Sequence, residues 1–230
     1  MFSPEEWTAI LLSLKVAAAA TLGLLPVGTA LAWLLARREF IGKPVVNLLI
    51  HLPLVLPPVV TGYALLIVFG RKGPIGGLLE ICCGLVFSFR WTGAALAAAV
   101  MGLPLMVRAI KLTIENINPQ IEKSAASLGA SPLRVFRSVT LPLAAPGILA
   151  GAILAFAKAL GEFGATITFV SNIPGETQTL PLAIYGFTQV PGGDANALRL
   201  AAVSVAISFL ALIASEIMAR RLAIRSIGYQ

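Results

Sequence analysis

Five long apolar stretches, separated by shorter polar segments, dominate the pattern of hydrophobic and polar positions along the chain. Each comes close to or exceeds the roughly 20 residues that a helix needs to cross a bilayer. We therefore predict an all-α integral membrane protein with about five transmembrane helices. Their expected bounds are residues 7–36, 45–69, 92–110, 141–160 and 198–218.

The segment between the fourth and fifth stretches, residues 161–187, is less regular. It contains apolar runs, but glycine, proline, asparagine and glutamate interrupt each run before it reaches spanning length. We expect a connection that is partly embedded in the membrane and partly external. A sixth short span around residues 180–190 stays open as an alternative.

The positions of lysine and arginine orient the helices, because loops rich in these residues stay in the cytoplasm. With the N-terminus outside, eleven of the 17 basic residues fall on the cytoplasmic side and four fall on the external side, while Lys15 and Lys158 lie within spans. The sequence therefore predicts an external N-terminus and a cytoplasmic C-terminus.

Composition supports the membrane assignment and narrows the class of protein. The 230 residues are 58% hydrophobic and only 12% charged, whereas soluble domains are about 45–50% apolar and about 25% charged. A soluble enzyme is thereby excluded, and we attribute the net charge of +7 to membrane topology rather than to binding of nucleic acid. We predict that residues 1–230 form one transmembrane domain in contact with the lipid bilayer.

Prolines lie inside the second and third predicted spans. Pro53, Pro57 and Pro58 lie in the second span and Pro104 in the third, and each removes a backbone donor from its helix. Broken helices in membranes often line a transport path. We therefore consider Pro57 and Pro58 as candidate residues of a gate or translocation path, with a simple packing kink as the alternative.

The segment 118–140 is too polar for a span and predicts two short cytoplasmic helices between spans three and four. Asn118 followed by Pro119 is typical of a helix start, and Gly129 is suited to the left-handed residue that often ends a helix. On the first helix, Ile121, Ala125 and Leu128 recur on one face. This apolar stripe must pack against the rest of the subunit, the membrane surface or a groove in a second protein.

The same segment resembles the EAA loop of type I ABC importer permeases. The resemblance rests on Gly129, on the Val139-x-Leu141-Pro142 ending and on the small residues Ser124 and Ala125. It implies the type I permease fold, with a core at about residues 9–218, and a coupling helix that docks on a cytoplasmic ATPase. Lys123 stands where the family has an acidic residue, and Glu122 precedes it. The coupling residues that the resemblance implies are Ile121, Glu122, Ala125, Leu128, Gly129, Leu141 and Pro142.

Two further stretches, residues 51–76 and 159–181, resemble molybdate permeases in particular. The resemblance implies a homodimeric pore in a bacterial or archaeal cytoplasmic membrane. It also implies two cytoplasmic ABC ATPase subunits and a periplasmic or surface-anchored molybdate-binding protein. Tungstate, sulfate or thiosulfate are the alternative substrates within the same class.

ATP hydrolysis is expected in a separate subunit, because the chain has no G-x-x-x-x-G-K-[ST] motif for nucleotide phosphates. No cofactor, metal site or catalytic residue is expected in this chain. A membrane-embedded enzyme or a non-catalytic scaffold remains a remote alternative. Co-purification with an ATPase would separate the transport hypotheses from these two.

Three ionisable side chains near the membrane have both a structural and a functional interpretation. Lys158 and Glu162 are four residues apart, so they are either an ion pair at a helix end or part of a gate. Lys15 could attract an anion, but it lies near the outer boundary, and we expect it to extend toward the interface.

Overall fold

All the regular secondary structure in the described part of the chain is helical. The computed structural model describes residues 2–227, without the side chains of residues 212, 214–216 and 218–227. The helices are α1 (Pro4–Arg37), α2 (Lys43–Val55), α3 (Pro58–Phe69), α4 (Pro74–Cys83), α5 (Trp91–Asn116), α6 (Pro119–Ser127), α7 (Pro132–Val135), α8 (Leu141–Leu160), α9 (Gly164–Val170), α10 (Leu180–Thr188) and α11 (Asp194–Ile227), and a π-helical turn, Phe136–Thr140, joins α7 to α8.

Four continuous helices are long and apolar enough to cross a membrane, and the number is five if the bent pair α2 and α3 forms one span. The four are Pro4–Arg37, Trp91–Asn116, Pro132–Leu160 and Asp194–Ala211, the last being the part of α11 that meets the test. The prediction of about five transmembrane helices in an all-α protein is confirmed. The basic pair Arg220-Arg221, which would close the last span, lies outside the described side chains.

Helix α5 lies at the centre of the bundle and packs against both α1 and α8. One apolar cluster, which includes Leu35, Ile110 and Ile114, lies toward the end of the bundle that carries α6. We call this the coupling end. A second cluster, which includes Val16 and Phe169, lies toward the opposite end, which we call the far end.

Small residues let α8 approach α5 closely. A Cβ atom added to Gly147 would overlap the side chain of Thr113, and one added to Gly151 would lie 3.0 Å from the carbonyl oxygen of Met106. Both glycines face α5 of the same subunit. The pair therefore serves packing within the subunit, as small residues often do between membrane helices.

The far end of α1 is tied to the start of α11. Ser3 caps α1, and the Glu6 carboxylate accepts the Ser3 N–H at 2.6 Å. The Arg199 guanidinium donates to Glu6 Oε1 at 3.0 Å, and Glu6 is fully buried. Helix α1 begins at Pro4 rather than at residue 7, because Ser3 and Glu6 form a capping box and Pro4 occupies the first turn.

The second predicted span, residues 45–69, is not one straight helix. It consists of α2 and α3, and the chain bends by 117° between them. Leu56 has an extended backbone, with φ −69° and ψ 142°, as expected for a residue before proline. Neither Pro57 nor Pro58 can donate a backbone hydrogen bond, so the helix ends at Val55 and restarts at Pro58.

The connection after α8 contains two short helices rather than a sixth span. Helix α10 has 9 residues, which is about 14 Å at 1.5 Å per residue and too short to cross a bilayer. Its residues Leu180 and Ala183 pack against Ala9 and Ile10 of α1. The connection is therefore folded against the far end of the bundle.

Helix α4, between the second and third spans, was not predicted from the sequence. It has 10 residues and carries the exposed Cys82 and Cys83 as free cysteines. The third span is also longer than predicted, because α5 continues past residue 110 to Asn116. This extension carries α5 to the start of the coupling segment.

Candidate coupling segment and translocation path

The ends of α6 are formed by the residues that the sequence predicted. The Asn118 side chain accepts the N–H of Gln120 at 3.0 Å, and Pro119 occupies the first turn. Gly129 has φ +84°. The N–H of Gly129 bonds to the carbonyl of Ala126 at 3.0 Å, and the N–H of Ala130 bonds to the carbonyl of Ala125 at 3.3 Å. These two bonds are the Schellman pattern of helix termination.

The apolar stripe of α6 is left largely uncovered by its own subunit. Leu128 is 89% exposed and Ile121 is 47% exposed, whereas Ala125 is half-buried. Of the three packing partners that the sequence left open, the rest of the subunit therefore does not cover the two larger side chains. This face is available to another surface.

Glu122 points away from the stripe and into its own subunit. Its Oε2 lies 2.8 Å from Nε of Arg37, at the end of α1, and both side chains are less than one-fifth exposed. Its Oε1 accepts the hydroxyl of Thr140 at 2.6 Å, and Arg37 Nη2 donates to the carbonyl of Ile117 at 3.0 Å. We call Arg37, Glu122 and Thr140 the coupling node, because they join α1, α5, α6 and the π turn.

Sequence reasoning included Glu122 but missed Arg37 and Thr140. Arg37 is one of the eleven basic residues that the sequence places on the cytoplasmic side, and Thr140 lies 18 residues from Glu122. No local spacing pattern connects the three positions. Glu122, although grouped with the ATPase-facing residues, is thus placed to hold α6 rather than to extend from it.

Leu141 and Pro142 connect the coupling segment to the fourth span. The N–H of Leu141 bonds to the carbonyl of Phe136, five residues back. Pro142, which has no N–H, follows in the first turn of α8 and is exposed. Helices α7 and α8 therefore continue into each other through the π turn, and the predicted start at residue 141 is a change of helix type within one span.

Lys158 and Glu162 form the predicted ion pair, but not on a continuous helix. Helix α8 ends at Leu160, and Glu162 lies in the break before α9. Lys158 Nζ is 2.7 Å from Glu162 Oε2, and Glu162 Oε1 accepts the N–H of Ala165 at 3.0 Å. The Glu162 side chain is 1% exposed, so this carboxylate holds the start of α9 and does not project into open space.

The bend at Pro57 and Pro58 lies beside the same break. A Cβ atom added to Gly164 would be 2.7 Å from Cβ of Pro58, and one added to Gly62 would be 2.5 Å from the carbonyl oxygen of Ala165. The structure thus brings Pro58 together with the segment that follows Glu162. Pro57 and Pro58 are both exposed at the bend.

Lys15 contacts an aromatic ring at the far end. Its Nζ lies 3.8 Å from the ring centroid of Trp91, a cation–π contact. This placement agrees with a lysine that extends toward the membrane boundary. Among the side chains that the structure describes, no group of three or more histidine, cysteine, aspartate or glutamate residues could hold a metal ion.

Comparison with known proteins assigns the chain to a family. A family model described as the binding-protein-dependent transport system inner membrane component matches residues 25–224. The chain belongs to this family. It is a multi-pass membrane permease, and its helical bundle is the scaffold on which the coupling segment and the bend are built.

The permease is similar to curated relatives over nearly its full length. It is 55% identical over 220 residues to the molybdenum transport system permease protein ModB of Escherichia coli K12, covering 96% of each chain. It is 54% identical over 217 residues to ModB of Haemophilus influenzae, covering 94% of this chain and 95% of that protein.

A solved structure shares the fold. The permease superposes with a TM-score of 0.75 on a chain of a bacterial alginate ABC transporter in complex with an alginate-pentasaccharide-bound periplasmic protein. The match covers 96% of this chain and 80% of that chain at 17% identity. It supports the type I ABC permease architecture predicted from the sequence.

Proposed function

We propose that this chain is the membrane subunit of an ATP-driven importer that carries molybdate across the cytoplasmic membrane. The observation that carries the proposal is the 55% identity over 96% of the chain to a molybdenum permease. The chain is a transport subunit and not an enzyme. ATP hydrolysis takes place in a separate subunit.

The importer that we propose contains two copies of this chain around a central path. Two ABC ATPase subunits bind its cytoplasmic face, and a molybdate-binding protein delivers the anion to the opposite face. The coupling end then lies in the cytoplasm and the far end lies outside. The positive-inside distribution of lysine and arginine supports this orientation.

Helix α6 is the contact with the ATPase in this proposal. Its exposed face offers Leu128 and Ile121, which are large apolar side chains in a polar segment. Apolar side chains presented at i, i+4 and i+7 are a common way for a helix to bind in a hydrophobic groove. Glu122, on the other side of α6, positions the helix through the coupling node.

The bend between α2 and α3 is the candidate gate. It is exposed at Pro57 and Pro58 and packs against the segment that follows Glu162. Irregular backbone at membrane depth persists where it is buried in protein or lines a water-filled cavity. The ion pair of Lys158 and Glu162 fixes the neighbouring break, so that the bend has a rigid surface to pack against.

Uptake of labelled molybdate tests the substrate, in cells that lack this chain and in the same cells after it is restored. We expect uptake to return with the chain, and excess unlabelled sulfate and thiosulfate to compete less well than unlabelled molybdate. Restored uptake of sulfate without uptake of molybdate would overturn the substrate assignment and leave the family assignment intact.

The docking face has its own test. Leu128→Asp places a charge on the most exposed residue of the stripe, and we expect it to lower ATPase co-purification and molybdate uptake by at least about tenfold. Ser127→Asp is the matched control, because it adds the same charge to the neighbouring exposed residue of α6 off the stripe. Equal effects of the two variants would contradict docking through the stripe.

A further inference from the structure

A polar cleft lies between α2 and α5 in the half of the bundle nearer the coupling end. Its volume is about 250 Å³. It is lined by Asn47, His51, Arg108, Lys111, Leu112 and Glu115. Neither the coupling node nor the bend uses these residues.

Basic groups outnumber acidic ones in this cleft. Arg108, Lys111 and His51 face a single carboxylate, that of Glu115, which lies 3.6 Å from Lys111 Nζ. Arg108 is exposed and forms no ion pair with any carboxylate of the described residues. The cleft therefore has positive charge in excess of what its own carboxylate can balance.

His51 is oriented by its own helix. Its Nδ1 lies 2.8 Å from the carbonyl oxygen of Asn47 and donates to it, which leaves Nε2 for the cleft. The cleft can thus offer the guanidinium of Arg108 and the ammonium of Lys111 to one ligand, beside the His51 ring.

The cleft lies in the part of α5 nearer the coupling end. Arg108 lies eight residues before Asn116, the last residue of α5, which is about 12 Å along the helix. The cleft also lies on the broken span, since α2 ends at Val55, one turn beyond His51.

We propose that Arg108, Lys111 and His51 form a holding site for the transported oxyanion on the cytoplasmic side of the bend. The ligand class is a tetrahedral dianion whose oxygens only accept hydrogen bonds, and molybdate is the member that the proposed function supplies. Arg108 and Lys111 carry positive charge against the one carboxylate of Glu115, which leaves a net positive charge for an anion. The site rests on the proposed function, because the anion must reach it through the bend.

The same groups would also suit the phosphate of an anionic lipid, so the test separates the two sources. The complete importer, with its ATPase and binding protein, is reconstituted in vesicles of phosphatidylcholine alone and in vesicles that also contain phosphatidylglycerol. If the effect of changing Arg108 appears only with phosphatidylglycerol, the site belongs to lipid and the proposal is overturned.

Cysteine chemistry can remove and restore the charge at one position. In a Cys82→Ser, Cys83→Ser background, we expect Arg108→Cys to lower molybdate transport at least tenfold while ATP hydrolysis stimulated by the loaded binding protein stays within twofold. A methanethiosulfonate that adds an aminoethyl group should restore at least a third of transport. A reagent that adds a sulfonatoethyl group should restore none.

Three controls complete the experiment. Arg108→Lys keeps the charge and should keep at least half of the transport. Lys43→Cys removes a base from the start of α2, outside the cleft, where Lys43 pairs with Glu39 at 2.6 Å, and it should change transport less than twofold. The parent complex without Arg108→Cys, treated with both reagents, corrects for reactions elsewhere.

Two results would overturn the proposal: normal transport by the Arg108→Cys protein, or equal rescue by the positive and negative reagents. Failure of the proposed function gives a different result. In that case vesicles that contain the complex with Arg108 intact do not accumulate molybdate at all. The Arg108 variants are then measured with the oxyanion that these vesicles do accumulate.

Discussion

Two glutamates, Glu122 and Glu162, hold short helices at opposite ends of the molecule, and they do so in different ways. Glu122 joins α6 to residues far away in the chain, through Arg37 and Thr140. Glu162 uses only near neighbours, since its partners are Lys158 and the N–H of Ala165. Both carboxylates use both oxygens.

The difference concerns what each carboxylate can transmit. The Glu122 contacts connect three separate elements, so a displacement of α6 acts on α1 and on the span that begins at Pro132. The Glu162 contacts stay within one local break and hold its shape. The coupling end is therefore built to pass on motion, whereas the break at the far end is built to stay fixed.

The largest effect is expected when the charge of Glu122 is reversed. Glu122→Arg leaves Arg37 without its carboxylate and brings a second cation beside it, at a site where both native side chains are less than one-fifth exposed. We expect a loss of about 2–3 kcal/mol in the attachment of α6 and a fall of more than about thirtyfold in molybdate uptake.

The charge-swapped double variant sharpens this test. Arg37→Glu combined with Glu122→Arg restores opposite charges and should recover part of the uptake. Uncoupled ATP hydrolysis, measured as ATP consumed per molybdate imported, should be highest in the single variant. If each single variant imports molybdate normally, the coupling node does not transmit motion. The proposed difference between Glu122 and Glu162 is then contradicted.

A smaller effect is expected at Gly129, where the backbone alone is changed. No atom lies within 4 Å of a Cβ atom built there, but φ is +84°. A β-branched residue is strained in that region, by about 1–3 kcal/mol. Gly129→Val should lower uptake and ATPase stimulation about tenfold, whereas Gly129→Asn, which tolerates this conformation, should lower them less than threefold. Equal losses would show that side-chain bulk, not backbone conformation, matters.

The smallest effect is expected at the far end, where the two single variants of the ion pair should differ in stability. Lys158→Ala leaves the buried carboxylate of Glu162 unpaired, which costs about 1 kcal/mol and should lower the thermal unfolding midpoint by about 2–4 °C. Glu162→Gln keeps an acceptor for Ala165 and leaves Lys158, which is 29% exposed, able to reach water. Its midpoint should change by less than about 1 °C.

The double variant decides whether the pair is only structural. Lys158→Ala with Glu162→Gln removes both charges and should return the midpoint to near that of the unmodified protein. Uptake by the double variant should also be close to normal. A normal midpoint with lost uptake would show that the pair takes part in the translocation path.

The sequence predicted α6 well because its ends depend on neighbouring residues. Asn118 caps through a bond to Gln120, and Gly129 ends the helix through bonds within the last turn. The stripe follows from helix periodicity alone. The ATPase contact assigned to Ile121, Ala125 and Leu128 stays a prediction.

The coupling node could not be predicted, since it depends on how distant elements pack. Arg37 and Glu122 meet only after α1 and the coupling segment have been placed around α5. The size of the bend in the second span could not be predicted for a related reason. The prolines predicted the interruption, but α3 also packs closely against α9 at Gly62, and the chain bends by 117°.

The continuity of Pro132–Leu160 has a mechanical consequence. This 29-residue helix rests on α5 near its midpoint, where Gly147 and Gly151 make their close contacts. Thr140 lies toward one end of this helix and Lys158 toward the other. One continuous element therefore joins the coupling node to the residue that pairs with Glu162.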